Sequence, residues 1–155
     1  MAINLNNLFN SITKNSKMGD FQDLEHVDGL SISTTSANLY SKQRDDLVLF
    51  YFRNGASHAS VYTQSKLVSE NIKWNLKISK KKIKALLINT RNANAFTGKD
   101  GFKGLKILAD DLSQELTQKQ KSDEQKPSKV ESDEILFACT GTIGEMFPTE
   151  KIKKN

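Results

Sequence analysis

Phe102, Leu105, Leu108 and Leu112 recur at helical spacing, with Leu116 one turn further on. The spacing predicts a helix over residues 101–116 with one apolar face. Such a face needs a second layer to cover it, and the chain offers three short apolar runs as strands. LVLFYF at 47–52 is rich in β-branched and aromatic residues, KALLIN spans 84–89, and ILFA spans 135–138. Strands around one long helix predict an α/β or α+β domain. At 155 residues the chain can bury a real core.

The remaining segments are placed around these elements. Residues 1–26 are rich in Asn and Ser and form a weakly ordered segment, in which Ile3, Leu5, Leu8, Phe9 and Ile12 fall near helical spacing. Residues 27–33 read as a turn and a short strand. Asn54-Gly55 is a hairpin signal, so residues 57–64 are expected as an antiparallel partner of the 47–52 strand. Residues 65–71 are a short helix or a loop. Residues 89–101, with Asn89, Asn92 and Asn94 followed by Thr97-Gly98, favour neither helix nor strand. Short amides bond readily to nearby backbone, which predicts an ordered loop. Residues 117–133 are Lys, Gln, Ser, Asp and Glu around Pro127 and are expected as a flexible surface insertion. A helix start follows Pro148, with Thr149 in its first turn or as its cap, and little chain remains after it.

Composition bounds the function. Net charge is +5, mostly from dispersed lysines. The densest cluster, Lys80-Lys81-Lys82 with Lys84, has no stacking aromatics, so a solvated face is favoured over a nucleic-acid patch. One cysteine, Cys139, excludes an intrachain disulfide and a cysteine-rich zinc site. No apolar run has the length of a membrane span, and the first residues lack a signal pattern. A cytoplasmic protein without metal, nucleic acid or membrane partner is the expectation.

The chemistry concentrates at Glu134–Glu145. The apolar run ends in Thr140-Gly141, with a second glycine at Gly144. A strand entering such a turn can present a free N–H and a hydroxyl at one point, as an oxyanion hole does. A tight turn with no function fits the same residues. A cysteine hydrolase using Cys139 with His26 or His58 is a rival, set against the inert buried thiol expected at a strand end. Thr97-Gly98-Lys99-Asp100-Gly101 suggests a phosphate loop but lacks the full Walker spacing.

Two separated motifs carry a family resemblance. INTRNANAFTGKDG resembles the NSGNANA-TG loop of the glutamate N-acetyltransferases, also called ornithine acetyltransferases, and ACTGTIGE resembles that family's STGVIGE oxyanion segment. RDDLVLFYF, ASVYTQSKLVSENIKW and PTEKI resemble further elements, so the likeness runs from Val27 to Ile152. Thr90-Arg91 stands where the family usually has Ser-Gly, and Tyr62 where it has phenylalanine.

The resemblance implies a four-layer αββα sandwich like that of N-terminal-nucleophile hydrolases, with this chain as the N-terminal (α-chain) portion over residues 27–155. It implies acetyl transfer from N-acetylornithine to glutamate, with acetyl-CoA as a possible further donor and no cofactor. Family members cleave themselves before a threonine, and that threonine is the nucleophile. It would lie outside this chain, on a β chain in an α/β hetero-oligomer, because Thr149 is the last threonine here and belongs to PTEKI. Carried over residue by residue, Thr140 and Gly141 would form the oxyanion hole. Asn89, Asn92 and Asn94 would support the site. The alternative is a non-catalytic interaction module.

Overall fold

The computed structural model describes residues 25–78, 82–123 and 129–154. Most of the 1–26 segment, Lys80-Lys81 and residues 124–128 lie outside the described residues. Four strands form one sheet in the order β1 (Leu30–Thr35), β2 (Leu47–Ser57), β3 (Lys82–Asn89) and β4 (Ile135–Cys139). Helix α1 (Glu70–Lys77) lies between β2 and β3, and α2 (Gly98–Asp123) between β3 and β4. A 3-10 turn (Ser132–Glu134) leads into β4, and α3 (Thr149–Lys153) follows it. β1, β2 and β3 pair antiparallel, whereas β4 runs parallel to β3. A parallel partner needs a long crossover, and α2 supplies it. The architecture is mixed α+β.

Alternation along the strands sends Leu47, Tyr51, Ala85, Ile135 and Phe137 to one face. There they bury against Leu105, Leu108, Ala109 and Leu116 of α2, with Phe147 and Ile152 closing one end. The apolar stripe read from the sequence is the stripe that packs. Trp74 of α1 meets Phe137 edge-on at 5.8 Å and Phe102 at 5.7 Å, which docks α1 against both β4 and α2. The opposite face carries two largely apolar rows in register. One is Ile32–Phe50–Leu86–Leu136 and the other is Thr34–Val48–Ile88–Ala138. Ile32 is 57% exposed, and Val48, Phe50, Leu86 and Ile88 are only half-buried. The described residues therefore make one sheet and one helical layer, and no second sheet occurs among them.

Two expectations need correction. Asn54-Gly55 is not a hairpin turn. β2 continues through it to Ser57, and residues 58–68 follow without strand pairing, Val61 being 98% exposed. The pairs Tyr51↔Ala85 and Ala56↔Ile83 leave residues 52–55 of β2 opposite Lys84 alone. The dipeptide thus makes a bulge, whose excursion Lys84 Nζ braces by donating to the Arg53 carbonyl at 2.8 Å. Residues 65–69 are loop, one of the two readings offered for 65–71, and the helix runs from Glu70 to Lys77, where Trp74 can reach the core. The other correction is that the segment 117–133 begins as helix, because α2 runs on to Asp123. Polar contacts hold it there. Gln120 Nε2 donates to the buried Tyr51 hydroxyl at 2.5 Å, and Thr117 Oγ1 donates to the Ser113 carbonyl and accepts the Val130 N–H. Val130, the one aliphatic side chain of that segment, is 1% exposed.

Candidate active site

β3 and β4 are parallel, so their C-terminal ends lie side by side and the loops leaving them run together. Thr140 N–H donates to the Asn89 carbonyl at 3.1 Å and Thr142 N–H to the Arg91 carbonyl at 2.8 Å. Ala93 N–H returns a bond to the Thr142 carbonyl, and Gly144 N–H donates to the Ala95 carbonyl. Pairing thus carries on past the strands, with one break. At that break Arg91 and Gly141 both leave the extended conformation, at φ 74° and 134°. A Cβ on Gly141 would stand 2.2 Å from the Arg91 carbonyl carbon and 2.6 Å from the Asn92 nitrogen, so only glycine fits. Thr140 and Gly141 are both exposed. Among the described residues neither the Gly141 N–H nor the Thr140 hydroxyl makes a hydrogen bond, although the Thr140 and Thr142 amides on either side do. The turn leaves two donors to solvent at the end of a buried strand.

The edge of β4 remote from β3 is closed up to this point. Trp74 Nε1 donates to the Ile135 carbonyl at 2.9 Å. Asn75 bonds both backbone groups of Phe137. Side chains of α1 therefore take the place of a fifth strand.

Asn89, Asn92 and Asn94 are brought together beneath the turn, all at most 3% exposed. Asn89 Nδ2 donates to the carbonyls of Asn92 (2.8 Å) and Thr90 (3.1 Å). Asn92 Oδ1 accepts the Asn94 N–H, while its Nδ2 donates to the carbonyls of Glu145 (3.1 Å) and Met146 (3.2 Å). Asn94 Oδ1 accepts from Thr97 Oγ1 at 2.6 Å, and its Nδ2 donates to the Gly101 carbonyl. The amides are all turned to protein groups. They pin loop 89–98 to the turn after β4 and to the start of α2.

Sequence patterning missed one member of the site. The Arg91 guanidinium forks onto the Glu145 carboxylate at 2.9 and 3.2 Å and also donates to Thr142 Oγ1. Only the long separation of Arg91 from Glu145 hid the pair; no local pattern signals it.

The rivals fare poorly. Cys139 lies in β4, its thiol half-buried, and burial pushes its pKa up to about 12, which disfavours a thiolate nucleophile. His26 pairs with Asp28 at the surface. No hydrogen bond links Cys139 to His26 or His58 among the described residues. Residues 97–101 open α2 rather than cradle a ligand, with Thr97 Oγ1 turned onto Asn94. An open groove of about 620 Å³ lies nearby, lined by Lys73, Lys77, Lys99 and Phe102 among others, and includes neither Thr140 nor Gly141. Among the described residues no cluster of His, Cys, Asp and Glu could hold a metal ion, and no helix is long and apolar enough to cross a membrane.

The family model described as the ArgJ family matches residues 31–155, which include both loops and all four strands but for Leu30 at the start of β1. The chain belongs to the ArgJ family. It is 34% identical over 130 residues to the arginine biosynthesis bifunctional protein ArgJ of Bradyrhizobium diazoefficiens, covering 83% of this chain and 29% of that protein. The ArgJ protein of Zymomonas mobilis is 31% identical, with 81% and 28% covered. The chain thus spans less than a third of the curated ArgJ relatives it matches. Among solved structures, ArgJ of Bacillus halodurans superposes with a TM-score of 0.69 at 25% identity, over 82% of this chain and 61% of that one. The ornithine acetyltransferase of Mycobacterium tuberculosis, solved in complex with ornithine, gives a TM-score of 0.70 at 22% identity over 82% and 63%. The fold class expected from the sequence agrees with these neighbours.

Proposed function

We propose that this chain supplies the oxyanion-stabilising part of an acetyltransferase that moves an acetyl group from N-acetylornithine to glutamate through an acetyl-threonine intermediate. The observation that carries the proposal is the pair of unbonded donors, the Thr140 hydroxyl and the Gly141 N–H, on a turn locked by bonded neighbours. Donors fixed in advance need no reorganisation when charge develops. Family membership and the ornithine bound to the Mycobacterium tuberculosis relative support the substrate class.

The nucleophile in this proposal is a threonine on the remaining portion of the protein, freed at its amine by self-cleavage. Its hydroxyl attacks the acetyl carbonyl of N-acetylornithine and its amine takes the proton. Thr140 and Gly141 donate to the oxygen as it becomes negative. Collapse breaks the C–N bond, the proton passes to the departing ornithine amine, and the threonine ester remains. The glutamate amine then attacks the ester. A second oxyanion forms at the same donors, and collapse returns the threonine hydroxyl and gives N-acetylglutamate. Asn89, Asn92 and Asn94 keep the donors in place. No cofactor or metal takes part. Acetyl-CoA can serve as a further donor by the same path.

The working form is an α/β hetero-oligomer in the cytoplasm, without nucleic acid or membrane. The apolar rows on the outer sheet face favour a second sheet from the remaining portion, which would complete a four-layer sandwich. That same face also suits the alternative, a non-catalytic interaction module. Acetyl exchange between N-acetylornithine and labelled glutamate, assayed on this chain expressed with the remaining portion, separates the two. Exchange that Thr140→Ala lowers by on the order of 10²–10³ supports the enzyme. Stable association without any exchange leaves the module.

A further inference from the structure

Arg91 is held in a left-handed conformation, φ 74°, in a loop where the family pattern has glycine. A non-glycine residue there is uncommon and strained, so its surroundings must fix it. They do so through the turn after β4. The guanidinium meets both oxygens of Glu145 and the hydroxyl of Thr142, and the Arg91 carbonyl accepts the Thr142 N–H. Thr142 directly follows Gly141, and Glu145 ends the turn. The Arg91 peptide itself packs on the Gly141 Cα, as the 2.2 Å approach of a built Cβ shows. One residue thus touches the turn at its middle by backbone and at its end by side chain. Asn92 Nδ2 secures the same end at the Glu145 carbonyl.

We propose that Arg91 is a positioning residue: clasped to Glu145 and Thr142, it sets the turn 140–145 in the form that leaves the Gly141 N–H unbonded. This rests on the function proposed above, since the donor it positions is the oxyanion donor. The side chains of Arg91 and Glu145 are 37% and 49% exposed, so solvent screens their attraction and the pair adds little to global stability. Its effect is on orientation. The two-pronged geometry requires a planar fork, which arginine has and lysine lacks. The clasp needs both partners. A mere positive charge near the oxyanion would need Arg91 alone, and the loss of Glu145 would then leave that charge less neutralised.

The test uses this chain together with its remaining portion, comparing wild type, Arg91→Gly, Arg91→Lys, Glu145→Gln and the Arg91→Gly/Glu145→Gln double variant. Arg91→Gly relieves the strained conformation and should keep the melting temperature, yet lower kcat about tenfold with KM for N-acetylornithine nearly unchanged. Lysine should fail to restore kcat. Glu145→Gln should give a similar drop, and the double variant no further one, because either change opens the same clasp. Amide hydrogen exchange at Thr142 and Gly144 should quicken in both the Arg91→Gly and the Glu145→Gln variants. Unchanged kcat in Arg91→Gly, a higher kcat in Glu145→Gln, or multiplying losses in the double variant would overturn the proposal. Should wild type show no acetyl exchange, the enzymatic reading fails on its own. The hydrogen-exchange comparison then still decides the clasp, unchanged rates overturning it.

Discussion

Asn75 bonds Phe137 twice across the edge of the sheet. Its Nδ2 donates to the Phe137 carbonyl at 2.9 Å and its Oδ1 accepts the Phe137 N–H at 3.0 Å. The side-chain amide thereby copies the backbone of a neighbouring strand. It comes from α1, the helix whose Trp74 also caps Ile135, so a single helix ends the sheet at β4. Beyond Phe137 the edge opens, and within four residues the chain reaches the two unbonded donors.

Asn75→Ala should therefore cost about 2–3 kcal/mol, since it strands an N–H and a carbonyl in a half-buried position rather than removing one neutral bond. Urea unfolding followed by tryptophan fluorescence measures it. Asn75→Asp should be nearly as damaging, because a carboxylate cannot donate to the carbonyl. A loss under about 0.5 kcal/mol for either variant would mean that water takes over the edge without penalty.

Substitutions at the turn should separate architecture from chemistry. Gly141→Ala places a methyl group against the Arg91 peptide, so it should both unfold the turn and abolish activity. Thr140→Ala removes an exposed hydroxyl and should leave stability within about 0.5 kcal/mol. Under the proposed function, with the remaining portion present, it should still lower kcat by on the order of 10²–10³, the value of one oxyanion donor. KM should move little, because the charge it meets exists only in the transition state. A variant with full turnover would remove Thr140 from the mechanism.

The segment 117–133 shows where sequence patterning stops being informative. The α2 stripe was legible because five apolar residues repeat at helical spacing. The strands were legible because apolar runs ended at turn residues. Past Leu116 the helix is held by Thr117 and Gln120, polar residues whose partners, Val130 and Tyr51, are distant in sequence. No local pattern encodes such a pairing. The bulge at Asn54-Gly55 misled for a related reason: a two-residue signal for a hairpin serves equally for a bulge when a third strand is available. At the candidate site, Thr140, Gly141 and the three asparagines stood out by type and spacing, whereas the Arg91–Glu145 pair needed the fold. Val130→Ala should accordingly destabilise by about 1–2 kcal/mol, given its complete burial and the two methyl groups lost. Thermal denaturation checks this, and an unchanged midpoint would show that the segment is dispensable after all.

Cys139 should be inert at neutral pH. Burial raises its pKa from 9.0 to about 12, so the unfolded chain ionises first. Between those values the unfolded state binds fewer protons than the folded state, and stability falls as pH rises through that window. Well below pH 9 the thiol is protonated in both states and contributes no slope. Iodoacetamide at pH 8 should label the folded protein far more slowly than the urea-unfolded chain. Equal rates would show that the strand end opens readily, and rapid loss of acetyl exchange on labelling would reinstate a thiol in the chemistry.

The outer face of the sheet makes the last prediction. Phe50, Leu86, Val48 and Ile88 are aligned across β2 and β3 and only half-buried, which amounts to an apolar surface one layer short of a core. Residues 1–155 expressed alone should self-associate through it. A single Phe50→Lys change should reduce that association, as seen by light scattering, because a charge set in the middle of the row opposes a dry contact. Far-ultraviolet circular dichroism should be retained, since the helical layer packs on the other side of the sheet. The same variant co-expressed with the remaining portion should fail to co-purify and should lack acetyl exchange, although Thr140 and Gly141 are untouched. If Phe50→Lys assembled normally and kept full exchange, the second layer would have to sit elsewhere, and the exposed apolar rows would lose their place in the four-layer arrangement.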